Sequence, residues 1–197
     1  MTFDKNDREK SVVVGLSGGV DSAVAAARLV QQGYDVHGVV LKLWRIQGET
    51  GHAKTQSVEV AQAVADHLGI PLVARNLEET FYHQVVKPFA DAYAEGQTPN
   101  PCVFCNPTLK FEALLAQADA LGAHWITTGH YARVTHPEDG PSLLLRGHAA
   151  RKDQSYALYR LTQRHLRRLL LPLGEFGDKD KVRETARSLR LPSADVT

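Results

Sequence analysis

Cysteine is scarce here: the 197 residues hold two, and the first ten residues, polar and charged, contain no apolar signal core. That excludes a disulfide scaffold and makes reduced thiols in a cytoplasmic setting the expectation. Long hydrophobic runs are also missing, so no membrane partner is expected and the chain reads as soluble. No Gly-Lys-Ser/Thr of a Walker loop follows the first strand pattern, nor the Gly-x-Gly-x-x-Gly of a dinucleotide site. No second Cys/His pair with finger spacing accompanies the cysteines, and no internal repeat or low-complexity segment occurs. Net charge is small as well, at +1. It hides an asymmetry: residues 146–191 carry twelve Lys/Arg against five Asp/Glu, a balance of +7 on an otherwise acidic body. A polyanion docking on one side would use such a surface, and solvated helical faces would also produce it.

What is present is a glycine loop. Val12-Val13-Val14 reads as a buried parallel strand, and Ala23 to Val30 as a helix stopped by Gly33. Between them lies Gly15-Leu16-Ser17-Gly18-Gly19-Val20-Asp21-Ser22. Gly18 and Gly19 let the backbone approach closely and adopt positive φ, while a helix N-terminus offers unpaired N–H groups to an anion. Ser17 and Ser22 add hydroxyl donors, and Asp21 is placed to hold a divalent cation or the first-turn amides. The order strand, glycine turn, helix therefore points to phosphates.

The rest alternates strand and helix patterns, the signature of an open parallel sheet with crossover helices, an α/β Rossmann-like fold. Strands are expected at 36–41, 71–74 and 123–128, and helices at 56–68 and 81–95, the latter kinked by Pro88. Residues 45–54 read as a loop, 131–134 with 142–145 as a hairpin, 166–171 as a short helix, and 178–189 as a last helix capped by Asp178. A first domain over 1–160 and the start of a helical one over 161–197 are expected.

Both cysteines fall in Thr98-Pro99-Asn100-Pro101-Cys102-Val103-Phe104-Cys105-Asn106-Pro107. Asn106 suits an N-cap and Pro107 the first helical position, so a helix is expected to begin there. Cys105 would then stand ahead of a helix N-terminus, which favours a thiolate with a pKa below the usual value of about 8.5. A zinc half-site, a thioredoxin-like pair, two inert thiols and a nucleophilic or sulfur-carrying cysteine are the readings of this pair; the last fits a loop delivered to a nucleotide.

Ser-Gly-Gly-x-Asp-Ser resembles the PP-loop of ATP pyrophosphatases, which cleave ATP between the α and β phosphates. Together with Thr-Pro-Asn-Pro-x-x-x-Cys-Asn at 98–106, Thr-Gly-His-Tyr at 128–131, Lys-Asp-Gln-Ser-Tyr at 152–156 and Leu-Gly-Glu at 173–175, it resembles the tRNA-specific 2-thiouridylases over about residues 11–195. The resemblance implies that ATP, with Mg²⁺, adenylates the C2 oxygen of a wobble uridine, pyrophosphate leaves, and sulfur replaces the oxygen. It further implies ATP contacts at residues 15–22, Leu41 and Gly129. Cys105 matches the first catalytic cysteine, while Asn100, Pro101 and Cys102 match the segment that meets the target base. His130, Lys152, Asp153 and Gln154 match tRNA contacts, and a sulfur-donor protein is an implied partner. Many members carry aspartate where Cys102 stands, so an iron–sulfur cluster ligated by the Cys-x-x-Cys is an alternative. The family's second cysteine and β-barrel belong past Thr197, so the chain is expected to be a fragment. Another PP-loop enzyme and a non-catalytic nucleotide-binding module are the rival functions.

Overall fold

The computed structural model describes residues 10–43 and 52–194. Strands β1 (Ser11–Gly15), β2 (Asp35–Lys42), β3 (Leu72–Asn76), β4 (Trp125–Thr127) and β7 (Leu169–Leu170) form one sheet in the order β3-β2-β1-β4-β7. Every pairing in it is parallel. The hairpin expected after β4 is present as β5 (Ala132–Thr135) and β6 (Leu143–Arg146), paired antiparallel.

The valines of β1 divide the core. Val12 and Val14 point to one face, where they meet α1 (Val20–Gln31), α2 (His52–Leu68) and α6 (Lys179–Ser188) through Ala23, Val64 and Val182. Val13 points to the other face and meets Phe111, Leu114 and Ile126. A strand buried on both faces is the reason its sequence is a continuous β-branched run rather than an alternation. In α1 the alanines at 23 and 25–27 are almost fully buried, so small side chains bring that helix close to the sheet. Gly33 ends α1 in the left-handed conformation with Tyr34 N bonded back to Leu29 O at 3.0 Å, as its sequence position suggested.

Two helices keep going where proline was expected to kink or start them. Helix α3 (residues 78–94) runs as Glu78–Phe81, a π turn Tyr82–Val86, and Lys87–Ala94. The wider π turn lies just before Pro88, where the ring would otherwise crowd the preceding carbonyl. Helix α4 (residues 101–121) repeats the arrangement as Pro101–Cys105, a π turn Asn106–Lys110, and Phe111–Leu121. Its start corrects the sequence reading. The chain carries Asn-Pro twice, and the first copy is the helix start: Asn100 is the N-cap, its side chain accepting from Cys102 N at 3.1 Å, with Pro101 following. Asn106 and Pro107 lie inside the helix.

A second correction concerns 166–171. Helix α5 (Gln163–Leu166) is short, and Leu169–Leu170 is strand β7. A brief apolar run does not distinguish helix from strand by period; the edge of β4 decides, through Ile126 N to Arg168 O at 2.7 Å and Thr127 Oγ1 to Leu170 O at 2.8 Å. Residues beyond 160 thus add a strand to the sheet and a helix, α6, to its α1 face. The loop expected at 45–54 lies largely outside the described residues, and α2 already begins at His52.

Candidate functional site

Chain direction across the sheet reverses between β1 and β4, and ligands of open α/β sheets bind outside the carboxyl ends of strands at such a point. A cleft of about 300 Å³ opens there. Of the residues singled out by sequence, Gly15, Leu16, Ser17, Asp21, Ser22, Leu41, Gly129, His130 and Gln154 line it. Segments 100 residues and more apart in sequence converge on one opening.

The glycine loop is shaped from within. Gly18 has φ +80°, and a Cβ there would overlap the Ser57 carbonyl oxygen, so this position requires glycine. Gly19 departs from the expectation of positive φ: it is the N-cap of α1, extended at φ −87°. Ser22 Oγ is buried, accepts from Ser17 N at 3.1 Å and donates to Gly19 O at 3.0 Å. Ser22 therefore holds the turn, while the exposed Ser17 is the hydroxyl at the cleft. No side chain caps α1, so its N-terminus keeps donors for an anion.

Gly129 closes the other wall. A Cβ on it would lie 2.7 Å from Ser22 N and 2.8 Å from Asp21 C. The end of β4 thus packs directly on the first turn of α1, an approach only glycine permits.

Asp21 is the one carboxylate among the lining residues. It is held on both oxygens: Tyr131 Oη donates to Oδ1 at 2.7 Å and Lys179 Nζ to Oδ2 at 3.2 Å. Burial, then the bond to Asp21, pushes the Tyr131 hydroxyl pKa far up, so it stays a donor. Lys179 is the first residue of α6, where a cation opposes the helix dipole; only a carboxylate or another anion nearby makes that placement favourable. That misfit was the sequence signal for Lys179, which passes otherwise for part of a solvated face. Lys110, the last residue of the π turn of α4, lines the cleft itself and is a second cation that sequence reasoning missed.

His130 Nδ1 lies 2.7 Å from Thr128 Oγ1, and its ring stands 6.1 Å from that of Phe111. Burial, then the charge of Lys110, lowers its pKa to about 4, so the imidazole is neutral at pH 7 and offers hydrogen bonds rather than charge. Gln154 is tied to the same strand end by two bonds, Tyr131 N to its Oε1 at 3.0 Å and its own N to Tyr131 O at 2.8 Å. Asp153 accepts from Gly147 N at 2.9 Å and Ser155 Oγ at 2.8 Å, with Arg146 Nε 3.6 Å away. Burial alone would raise its pKa, but these donors hold the carboxyl below the usual value, which makes it the organiser of the turn 147–155. Lys152 beside it is exposed.

The cysteines do not sit as the sequence suggested. Cys102 is exposed in the first turn of α4, whereas Cys105 is one turn in and 3% exposed. Burial pushes the Cys105 thiol up, outweighing the opposing charge of Lys110. This corrects the expectation of a depressed pKa, which rested on the wrong helix start. Alkylation by iodoacetamide at pH 8 should therefore label Cys102 well before Cys105, with Cys105 reacting in step only when the chain is unfolded; peptide mass mapping reads the order, and faster labelling of Cys105 would overturn it. Next to it, Asn106 Nδ2 donates to Ala157 O at 2.9 Å, while its buried Oδ1 has no partner among the described residues. Among those residues no group of three or more His, Cys, Asp or Glu could hold a metal ion. An iron–sulfur cluster takes three or four cysteine ligands, and the described residues bring two thiols, Cys102 exposed and Cys105 buried.

The family model for the tRNA methyl transferase HUP domain matches residues 10–197. The tRNA-specific 2-thiouridylase MnmA of Carboxydothermus hydrogenoformans is 49% identical over 193 residues, covering 94% of this chain and 53% of that protein. MnmA of Clostridium perfringens is 46% identical over 188 residues, covering 93% and 52%. The chain thus spans about half the length of the curated relatives it matches. Among solved structures, a 4-thiouridine synthetase in complex with RNA and ATP superposes with a TM-score of 0.65 at 19% identity, covering 95% of this chain and 42% of that one. NMN synthetase from Francisella tularensis gives 0.57 at 20% identity, covering 96% and 66%. At such identities these two likenesses establish the fold alone, and it is the expected one.

Proposed function

The chain belongs to the tRNA methyl transferase HUP domain family, and on that premise we propose that it binds ATP in the cleft and serves 2-thiolation of the wobble uridine of tRNA. The observation that carries the reading is the convergence of an uncapped helix N-terminus, the Ser17–Ser22 turn and Gly129 on one opening. The reaction follows the relatives' names rather than the domain's. The amides of residues 15–22 would bind the phosphates, and Leu41 and Gly129 would flank the nucleotide. Mg²⁺ commonly takes one or two carboxylates plus substrate phosphates; Asp21 would be the carboxylate that holds it, and Lys179, now paired with Asp21, would add a positive charge beside the phosphates.

In the chemistry so implied, the uridine C2 oxygen bonds to the α-phosphorus, the bridging P–O bond breaks, and pyrophosphate leaves. Metal and cations would neutralise the departing charge. A persulfide sulfur, from a donor protein or a cysteine it loads, then adds at C2, and AMP departs with the original oxygen. Cys105, buried in the chain without RNA, would have to be uncovered by RNA binding to attack the sulfur–sulfur bond that remains, releasing the thiolated base and leaving a disulfide for an external thiol to reduce. Asn100, Pro101 and Cys102 would face the base, and Lys152, Asp153, Gln154 and His130 would support the RNA, His130 without charge. A reduced, cytoplasmic setting suits both thiols. No helix among the described residues is long and apolar enough to cross a membrane.

The test is pyrophosphate release. Mixing the chain with Mg-ATP and tRNA bearing an unmodified wobble uridine should release pyrophosphate and leave the adenylate on the RNA, and omission of the tRNA should abolish it. ADP and phosphate as products would overturn the reading.

A further inference from the structure

Two groups of exposed aromatic side chains stand outside the cleft, and their surroundings differ. Tyr82, Phe89 and Tyr93 project from α3, a helix that carries Glu78, Glu79 and Asp91 against Lys87. Phe104, Tyr156 and Tyr159, at 50%, 59% and 66% exposed, project where the first turn of α4 meets residues 155–160. There the Arg160 guanidinium carbon sits 4.5 Å from the centre of the Phe104 ring. Scattered exposed aromatics need no explanation, but three on one seam with a stacked guanidinium do.

The seam is rigid beneath. The Asn106 side chain donates to Ala157 O from a buried position, and Ala157 and Leu158 are themselves buried. Ala157 N and Leu158 N bond back to Gln154 O and Ser155 O at 2.9 and 3.0 Å. Anchoring 157 and 158 inward leaves Tyr156 and Tyr159 outward on either side of them. The chain that runs through the seam is biased to one sign: residues 151–168 hold six Lys/Arg and a single acid, Asp153, already engaged within its turn. Arg164 and Arg168 pair with Glu112 and Asp119, whereas Arg151, Lys152, Arg160 and Arg167 form no ion pair among the described residues.

We propose that Phe104, Tyr156 and Tyr159, with Arg160, form a stacking platform for unpaired bases of an RNA loop, its phosphates held by the unpaired cations around it. This rests on the RNA reading above and gives that surface its chemistry. Proteins read single-stranded RNA by stacking splayed bases on aromatic rings and on guanidinium planes, whereas paired RNA offers its rings to neither. Charge complementarity selects this seam over the aromatic group on α3, whose acids would repel phosphates. The platform lies in the turn of α4 that also carries Cys102, so bases stacked there flank the segment assigned to the target uridine.

The test compares two labelled RNAs by fluorescence anisotropy, an anticodon stem-loop with an unmodified wobble uridine and a blunt-ended duplex without a loop. Phe104→Leu and Tyr159→Leu keep apolar area but lose the ring. Each should weaken stem-loop binding by about 5- to 100-fold, leave paired RNA unaffected, and leave the salt slope unchanged, because no phosphate contact is lost. Tyr159→Phe should bind as the parent chain does, and intact Mg-ATP binding reports the fold. Equal losses on both RNAs, or none, would overturn the platform while the RNA reading stands. If the parent chain bound neither RNA, the RNA reading would fail and the platform with it.

Discussion

Gly129→Val is expected to abolish measurable Mg-ATP binding and to destabilise the chain by about 1–3 kcal/mol, the usual result of overfilling a packed site. The added Cβ would come within 2.7 Å of Ser22 N and 2.8 Å of Asp21 C, and both are backbone atoms with no rotamer to yield. Only separation of β4 from the first turn of α1 relieves the contact. That movement opens the cleft wall and turns the α1 amides away from the nucleotide. Urea unfolding and ATP titration separate the two effects. A variant with native stability and native ATP affinity would show that the strand end and the helix do not jointly shape the site.

Asp21→Asn is expected to lower ATP affinity roughly 10- to 100-fold in the presence of Mg²⁺, the range of a lost charged hydrogen bond or metal contact. Without Mg²⁺ the same variant should bind ATP as well as the parent or better, because it removes a negative charge beside the phosphates. The asparagine keeps an oxygen for the Tyr131 hydroxyl at the position of Oδ1, so stability should change little. Asp21→Ala orphans that buried hydroxyl and should cost about 1–3 kcal/mol of stability besides. Isothermal titration with and without Mg²⁺ reads the difference. An Asp21→Asn loss of equal size in both conditions would remove the metal from Asp21 and leave it a structural anchor for Tyr131 and Lys179.

The glycine loop was legible because each of its parts is local. A β-branched run, two glycines and an alanine-rich helix declare strand, turn and helix within twenty residues, and the sheet places them at its centre. The helix end at Gly33 was legible for the same reason, a glycine holding positive φ. What escaped was set by distant partners. Lys179 gains its meaning from Asp21, 158 residues earlier, and β7 becomes a strand only because β4 offers an edge. The start of α4 escaped differently: Asn100-Pro101 and Asn106-Pro107 carry equal cap signals, and a π turn lets the second pass inside a helix. That single misplacement moved Cys105 from a helix mouth to a buried turn and reversed the direction of its pKa.

Amide hydrogen exchange with and without Mg-ATP tests the central claim most directly, because the backbone amides of the glycine loop are the proposed phosphate ligands. Saturating Mg-ATP should slow exchange in peptides covering residues 15–22 and 128–131, and leave the α3 peptides unchanged. Saturable ATP binding with no slowing at 15–22 would contradict the account and place the nucleotide elsewhere on the chain.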